Sequence, residues 1–142
     1  MRIGFRGGRR GGADPRVERG SSSVEFAVLF PVLVMVLLAG PQLGLWYFAH
    51  DAAEAAAAAG ARAGSLDDAP AGAGRSAAEA YLAGLGTGTI TDYRVDEART
   101  ATSVTVHVVA DVPNVIPLPG FVPVVDVAVA QGLERFTTSE NP

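Results

Sequence analysis

Residues 26–49, FAVLFPVLVMVLLAGPQLGLWYFA, carry no formal charge, and Gln42 is their only strongly polar side chain. As a helix rising about 1.5 Å per residue, the stretch reaches roughly 36 Å, enough to cross a hydrocarbon core of about 30 Å with some tilt. Thirteen of its residues are Leu, Val or Phe. At about −0.3 to −0.6 kcal/mol each near the bilayer centre, they favour insertion by roughly 4 to 8 kcal/mol. Pro31, Pro41, the glycines and Gln42 subtract from that sum without reversing its sign. A helix of this length with no polar face otherwise belongs in the core of a much larger protein, and this chain has 142 residues. The stretch reads as a membrane-spanning helix.

Charge is distributed unevenly around it. All eleven basic residues are Arg, and six of them (Arg2, Arg6, Arg9, Arg10, Arg16, Arg19) fall in the first twenty positions beside only Asp14 and Glu18, a local net charge of +6 − 2 = +4. The rest of the chain has five Arg against thirteen acids, a net charge of −8. Basic residues just before a span stay cytoplasmic, so the N-terminus is expected inside and residues from about His50 onward outside. The chain has no cysteine, which excludes disulfides and thiolate metal sites. The 78 residues after Gly64 are marginal for a self-standing core, so the soluble part is expected to use the membrane-proximal helix as one of its layers. Three regions follow: a basic cytoplasmic leader (1–20), a spanning helix with its extracytoplasmic extension (21–64), and a small extracytoplasmic α+β domain (65–142).

The leader, MRIGFRGGRRGGADPRVERG, is rich in Gly and Arg and nearly free of apolar residues, a composition that predicts a solvated, disordered segment. Its Arg-Gly-Gly texture is shared with RNA-binding segments. It is short, however, its only aromatic is Phe5, and its place before a span already accounts for its charge. No nucleic-acid partner is expected. At the polar-to-apolar edge, Ser22 and Glu25 have the spacing of a capping box, and a carboxylate there also suits the dipole of a starting helix.

A basic leader ending in Gly20, four residues, Glu25, and then a long apolar helix resembles the processing motif of type IV prepilins, in which a membrane peptidase cuts after the glycine. The residues beyond narrow the resemblance. Gly20, Val24-Glu25-Phe26-Ala27, Pro31 after a short apolar run, and VLVMVLLAG are similar to the TadE-like pseudopilins of tight-adherence (Flp-type) pilus systems, most strongly over residues 19–60. The resemblance implies cleavage between Gly20 and Ser21, with Glu25 as an acid that pairs with a neighbouring subunit's N-terminal amine during assembly. Ser21 departs from the hydrophobic or methylatable first residue usual in major pilins. The family implies a non-enzymatic minor pilin-like subunit, held in the lipid bilayer, with prepilin peptidase and other pilin-like subunits as partners. It implies a pilin-like fold: a long N-terminal helix extended into a small α+β domain.

Within the span, Pro31 and Pro41 withdraw amide donors from the carbonyls of Ala27 and Leu37, which predicts kinks or loosened turns. Gly40 and Gly44 form a small-xxx-small pair suited to close approach of another helix. Trp46 and Tyr47 fall where amphipathic rings favour the membrane interface. The alanine-rich HDAAEAAAAAGARAG (50–64) continues the helix outward, weakened at Gly60 and with Gly64 placed as a C-cap. SLDDAPAGAG (65–74) is a loop by composition. Residues 76–85 put Ala78, Tyr81, Leu82 and Leu85 at helical spacing.

Beyond that the period changes to two. Residues 89–95, 103–112 and 124–133 read as three strands, expected to be antiparallel. The connection PNVIPLPGFVP (113–123) has four prolines and apolar residues unusual for a loop. It suits packing on the membrane surface or a partner, and equally a lid on the small core. The final TTSENP reads as a frayed end.

Catalytic chemistry has little support. His50 and His107 lie in different elements, and a lone histidine on an alternating strand is more often a surface or satisfied residue than a ligand. Asp67-Asp68 and Asp96-Glu97 are adjacent pairs, typical of solvated loops. Gly84–Thr89 follows a helix, precedes a strand and lacks the lysine of a phosphate-binding loop. No enzyme activity, metal or cofactor is expected. The competing reading is a signal-anchored or secreted extracytoplasmic binding domain. The span is too long for an ordinary signal peptide, although the alanines after Ala52 offer cleavage sites.

Overall fold

The structure is a computed structural model that describes residues 17–86, 88–116 and 118–133, with side chains from Ser23 onward. The leader over 1–16, Thr87, Pro117 and the final residues 134–142 lie outside the described residues, and with them the expectations of a solvated leader and a frayed end. In chain order the elements are α1 (Val17–Ser65), α2 (Ala73–Gly84), β1 (Asp92–Arg99), β2 (Ser103–Asp111) and β3 (Val124–Gly132). The strands form one antiparallel sheet in the order β1-β2-β3, packed with α2 against the later part of α1. This is the expected α+β architecture. The described residues fall into two compact units that divide within α1, after Val36.

The described residues of the first unit are all helical. Phe26, Leu29, Val32, Leu33 and Val36 are all exposed, because an apolar helix without partners has no inward face. Phe26 and Phe30, one turn apart, bring their ring centroids to 5.7 Å. Ser23–Ser65 is long and apolar enough to cross a membrane, and its most apolar window is not buried.

The second unit holds the core. Along α1, Ala49, Ala53, Ala56, Ala57 and Ala61 are fully buried, and they meet Val104, Val106 and Val108 of β2, Val95 of β1 and Val125 of β3. Strict alternation in β2 turns its even-numbered residues toward the helices, as the two-residue period requires. Each buried valine contributes roughly 1.5–3 kcal/mol. The alanines add little area but set the spacing, since a larger side chain in this row would hold the helix off the sheet. From α2, Gly74, Ala78 and Leu82 face inward at four-residue intervals.

The tightest contact is between backbones. A Cβ on Gly60 would lie 2.5 Å from the Gly74 carbonyl oxygen, and one on Gly74 would lie 2.8 Å from that of Gly60. Gly60 is therefore the crossing point of α1 and α2 and not merely a weak helical residue. Gly64 corrects the sequence reading in the same way. It is buried inside the last turn, facing Val104, and the helix runs one residue further, to Ser65.

Other boundaries also move. α1 begins at Val17, so Ser22 and Glu25 sit inside a helix and form no capping box; the stretch from Val17 to Arg19 is compatible with helix and carries it through Gly20. α1 also continues through Pro31 and Pro41. α2 begins three residues earlier than its apolar spacing suggests, from Gly72, whose φ of 84° favours glycine. Tyr81 and Leu85 are exposed, because the buried row is 74, 78 and 82. β1 starts at Asp92 instead of Thr89 and continues to Arg99, so Asp96-Glu97 lies in a strand and not in a loop. As an edge strand, β1 carries charge on both faces, with only Val95 fully buried, and shows no clean alternation. Glu97 also serves α2: its Oε2 accepts the Arg75 backbone N–H at 2.9 Å, capping a helix whose own N-cap is glycine.

Replacing Gly60 by Val in the detergent-solubilised full chain should lower thermal stability, because overpacking against backbone costs about 1–3 kcal/mol. Gly84→Ala, where an added methyl meets nothing within 4 Å, should leave the midpoint unchanged or slightly raised. Equal midpoints for wild type and Gly60→Val, followed by far-ultraviolet circular dichroism, would contradict the close crossing.

Candidate functional site

The features that bear on function lie along α1. Glu25 is exposed on the helix of the first unit, and among the described residues it forms no ion pair. Gly20 and Ser21 also fall within α1. In the second unit, Gly40 and Gly44 lie one turn apart on one face. A methyl group built on either would meet no atom within 4 Å, so the chain itself makes no use of this small-residue face.

Gln42 is used in a way that the sequence reading missed. Only 5% exposed, it donates from Nε2 to the Pro113 carbonyl (3.2 Å) and accepts at Oε1 from the Val115 N–H (2.8 Å). One amide thus mimics a strand partner for the segment leaving β2. Trp46, one turn on, donates its indole N–H to the Val124 carbonyl at 3.2 Å and stacks near Tyr47 and His50. Both ends of the 113–123 connection are thereby tied to α1, and we call this segment the strap. Between strap and helix is an open apolar groove of about 400 Å³, lined by Ala39, Gln42, Leu43, Trp46, Ile116, Phe121 and Pro123. The signal for this arrangement was a lone amide in an apolar run; its partner, 71 residues away, carries no local signature.

Titratable groups are arranged without catalytic convergence. His107 stands on the outer face of the sheet, with Nε2 2.5 Å from Asp126 Oδ1 on the neighbouring strand. Both residues are substantially exposed. His50, Asp51 and Glu54 bring potential ligand atoms within 4.8 Å of one another. This is the proximity that neighbouring positions and one helical turn produce on a surface, and Asp51 and Glu54 are exposed. The Glu79 carboxylate, 2.8 Å from Arg75 Nε, raises the guanidinium pKa above its ordinary value, as expected of an i,i+4 surface pair.

The chain is a long apolar helix whose later half forms one layer of a small α+β domain. Compared with models of protein families, residues 20–62 match TadE-like protein. The match begins at Gly20 and ends within the alanine-rich part of α1, before α2 and the sheet. No curated protein and no solved structure matches the chain.

Gln42→Leu should release the strap while leaving the sheet intact. Losing the Gln42 partner of the Val115 N–H and the Pro113 carbonyl costs about 1–3 kcal/mol, so Val115 amide exchange should accelerate about 10- to 100-fold. Unchanged exchange at Val115 would show that Gln42 does not hold the strap.

Proposed function

We propose that this chain is a single-pass membrane protein, N-terminus cytoplasmic and sheet domain extracytoplasmic, acting as a minor pilin-like subunit in assembly of a tight-adherence pilus or related secretion apparatus. The observation that carries this reading is the TadE-like match starting at Gly20, the residue after which the prepilin motif places the cut. The role is non-enzymatic. The bilayer holds the subunit until assembly. Prepilin peptidase then removes the basic leader between Gly20 and Ser21 and frees an amine. Apolar helices of pilin-like subunits next pack laterally, with Gly40 and Gly44 offering a face for close approach. Glu25 pairs with a neighbour's N-terminal amine. An unpaired carboxylate in an apolar bundle costs several kcal/mol, so pairing sets the register of packing as well as its strength.

Of the rival reading, a signal-anchored or secreted binding domain, the secreted form released near Ala55 conflicts with the packing of the second unit. A cut there would discard Gln42, Trp46, Ala49 and Ala53, which hold the strap and part of the core. The same helix that would be a signal sequence is a structural layer of the domain.

Glu25→Ala should insert in the membrane at wild-type levels and fail in assembly, read as loss of co-purification with the other pilin-like subunits and of surface pili. Glu25→Gln, which keeps shape but not charge, should share the assembly defect. Normal assembly by both variants would remove the carboxylate from the mechanism.

A further inference from the structure

The strap is unlike an ordinary surface loop. Residues 112–125 contain no charge, and Leu118, Phe121 and Val122 are 48%, 40% and 63% exposed. Most of its backbone N–H positions are either missing or internally paired. Four of its eleven residues are prolines, which have no N–H. Four further amides have internal acceptors: Val115 on Gln42, Ile116 on Asn114 Oδ1, Leu118 on the Ile116 carbonyl and Phe121 on the Leu118 carbonyl. The Asn114 side chain in turn donates to the Phe121 carbonyl, closing the turn in which Gly120 adopts a φ of 78°. Irregular backbone that supplies its own partners is what a water-poor medium demands.

Position identifies the medium. Gln42 pins the strap to α1 seven residues before the uncharged stretch 26–49 ends, about 10 Å of helix. Whatever surrounds α1 at that level surrounds the strap. The groove between them offers a ligand no spare polar group, because both atoms of the Gln42 amide are engaged. The acids at this end of the sheet, Asp92 and Asp111, pair across β1 and β2 on the face turned away from the buried valines.

We propose that the strap is a second membrane-embedded element. Leu118, Phe121 and Val122 are immersed in the leaflet nearest the sheet domain, and a lipid acyl chain occupies the groove against Leu43 and Trp46. The inference rests on the reading of α1 as a membrane span. It makes the sheet domain a membrane-seated body, held at two points instead of swinging on a single helix.

The absence of native cysteine allows a direct test. The full chain bearing Val122→Cys, Leu33→Cys or Asp68→Cys is labelled with an environment-sensitive fluorophore. It is then reconstituted in phosphatidylcholine–phosphatidylglycerol vesicles, with and without chain-nitroxide lipid. The label at 122 should be blue-shifted, several-fold less accessible to aqueous iodide than that at 68, and quenched by the lipid nitroxide, with the label at 33 deeper still. A label at 122 as aqueous as that at 68, with 33 protected, overturns the strap proposal and leaves the span intact. Exposure at both 33 and 122 overturns the span and with it the proposal. Shielding of 122 from iodide without quenching by the nitroxide assigns the face to protein, such as a second copy, and overturns lipid as the occupant.

Discussion

Three short strands and a twelve-residue helix do not bury enough apolar surface to stand alone, and everything outside α1 depends on how closely they approach that helix. The approach is set by small residues. Ala49, Ala53, Ala56, Ala57, Gly60, Ala61 and Gly64 make one face of α1 nearly featureless. The valines of β2 can therefore lie on it, and the α2 backbone can touch it at Gly60 and Gly74. A face of this kind has little hydrophobic area of its own; its value is geometric, because dispersion and burial by the valines need contact at van der Waals distance. The long apolar stretch and one layer of the domain core thus belong to one helix.

The long apolar helix, the two-residue period of β2 and β3 and the need for a shared helix layer are legible in the sequence because each rests on local pattern or on simple area arguments. What is not legible depends on distant partners. Gly60 and Gly64 look like a weak point and a cap when only the helix is in view; Gly74 and Val104 turn them into contacts. Asp96-Glu97 looks like a loop because an edge strand tolerates charge at nearly every position, and only the register with β2 reveals it. Gln42 appears as a cost to insertion until Pro113 and Val115 supply its partners. Of the candidate site, the motif residues Gly20, Ser21 and Glu25 come from resemblance, and Gly40 and Gly44 from spacing. In the proposed role these residues act in contacts with other molecules, which the folded chain by itself does not contain.

The exposed surface of the molecule divides by chemistry in a way that fits assembly better than catalysis. Charge is spread over the outer sheet face, the loops and the later parts of the helices, whereas residues 26–49 of α1 and the strap carry no charge. Among the described residues, the ion pairs His107–Asp126 and Arg75–Glu79 are both exposed. A subunit that acts by lateral packing needs an apolar rod and a register mark. The Gln42 and Trp46 ties hold the strap to the part of α1 that lies in the second unit.

The central claim is that the leader is removed after Gly20 and that the rest of the chain stays together as anchor and domain. The N-terminus and intact mass of the membrane-extracted protein, produced with and without prepilin peptidase, test it most directly. The account predicts a peptidase-dependent start at Ser21 with the helix retained. An intact Met1 in the presence of active peptidase, or a start beyond Ala52, would contradict it.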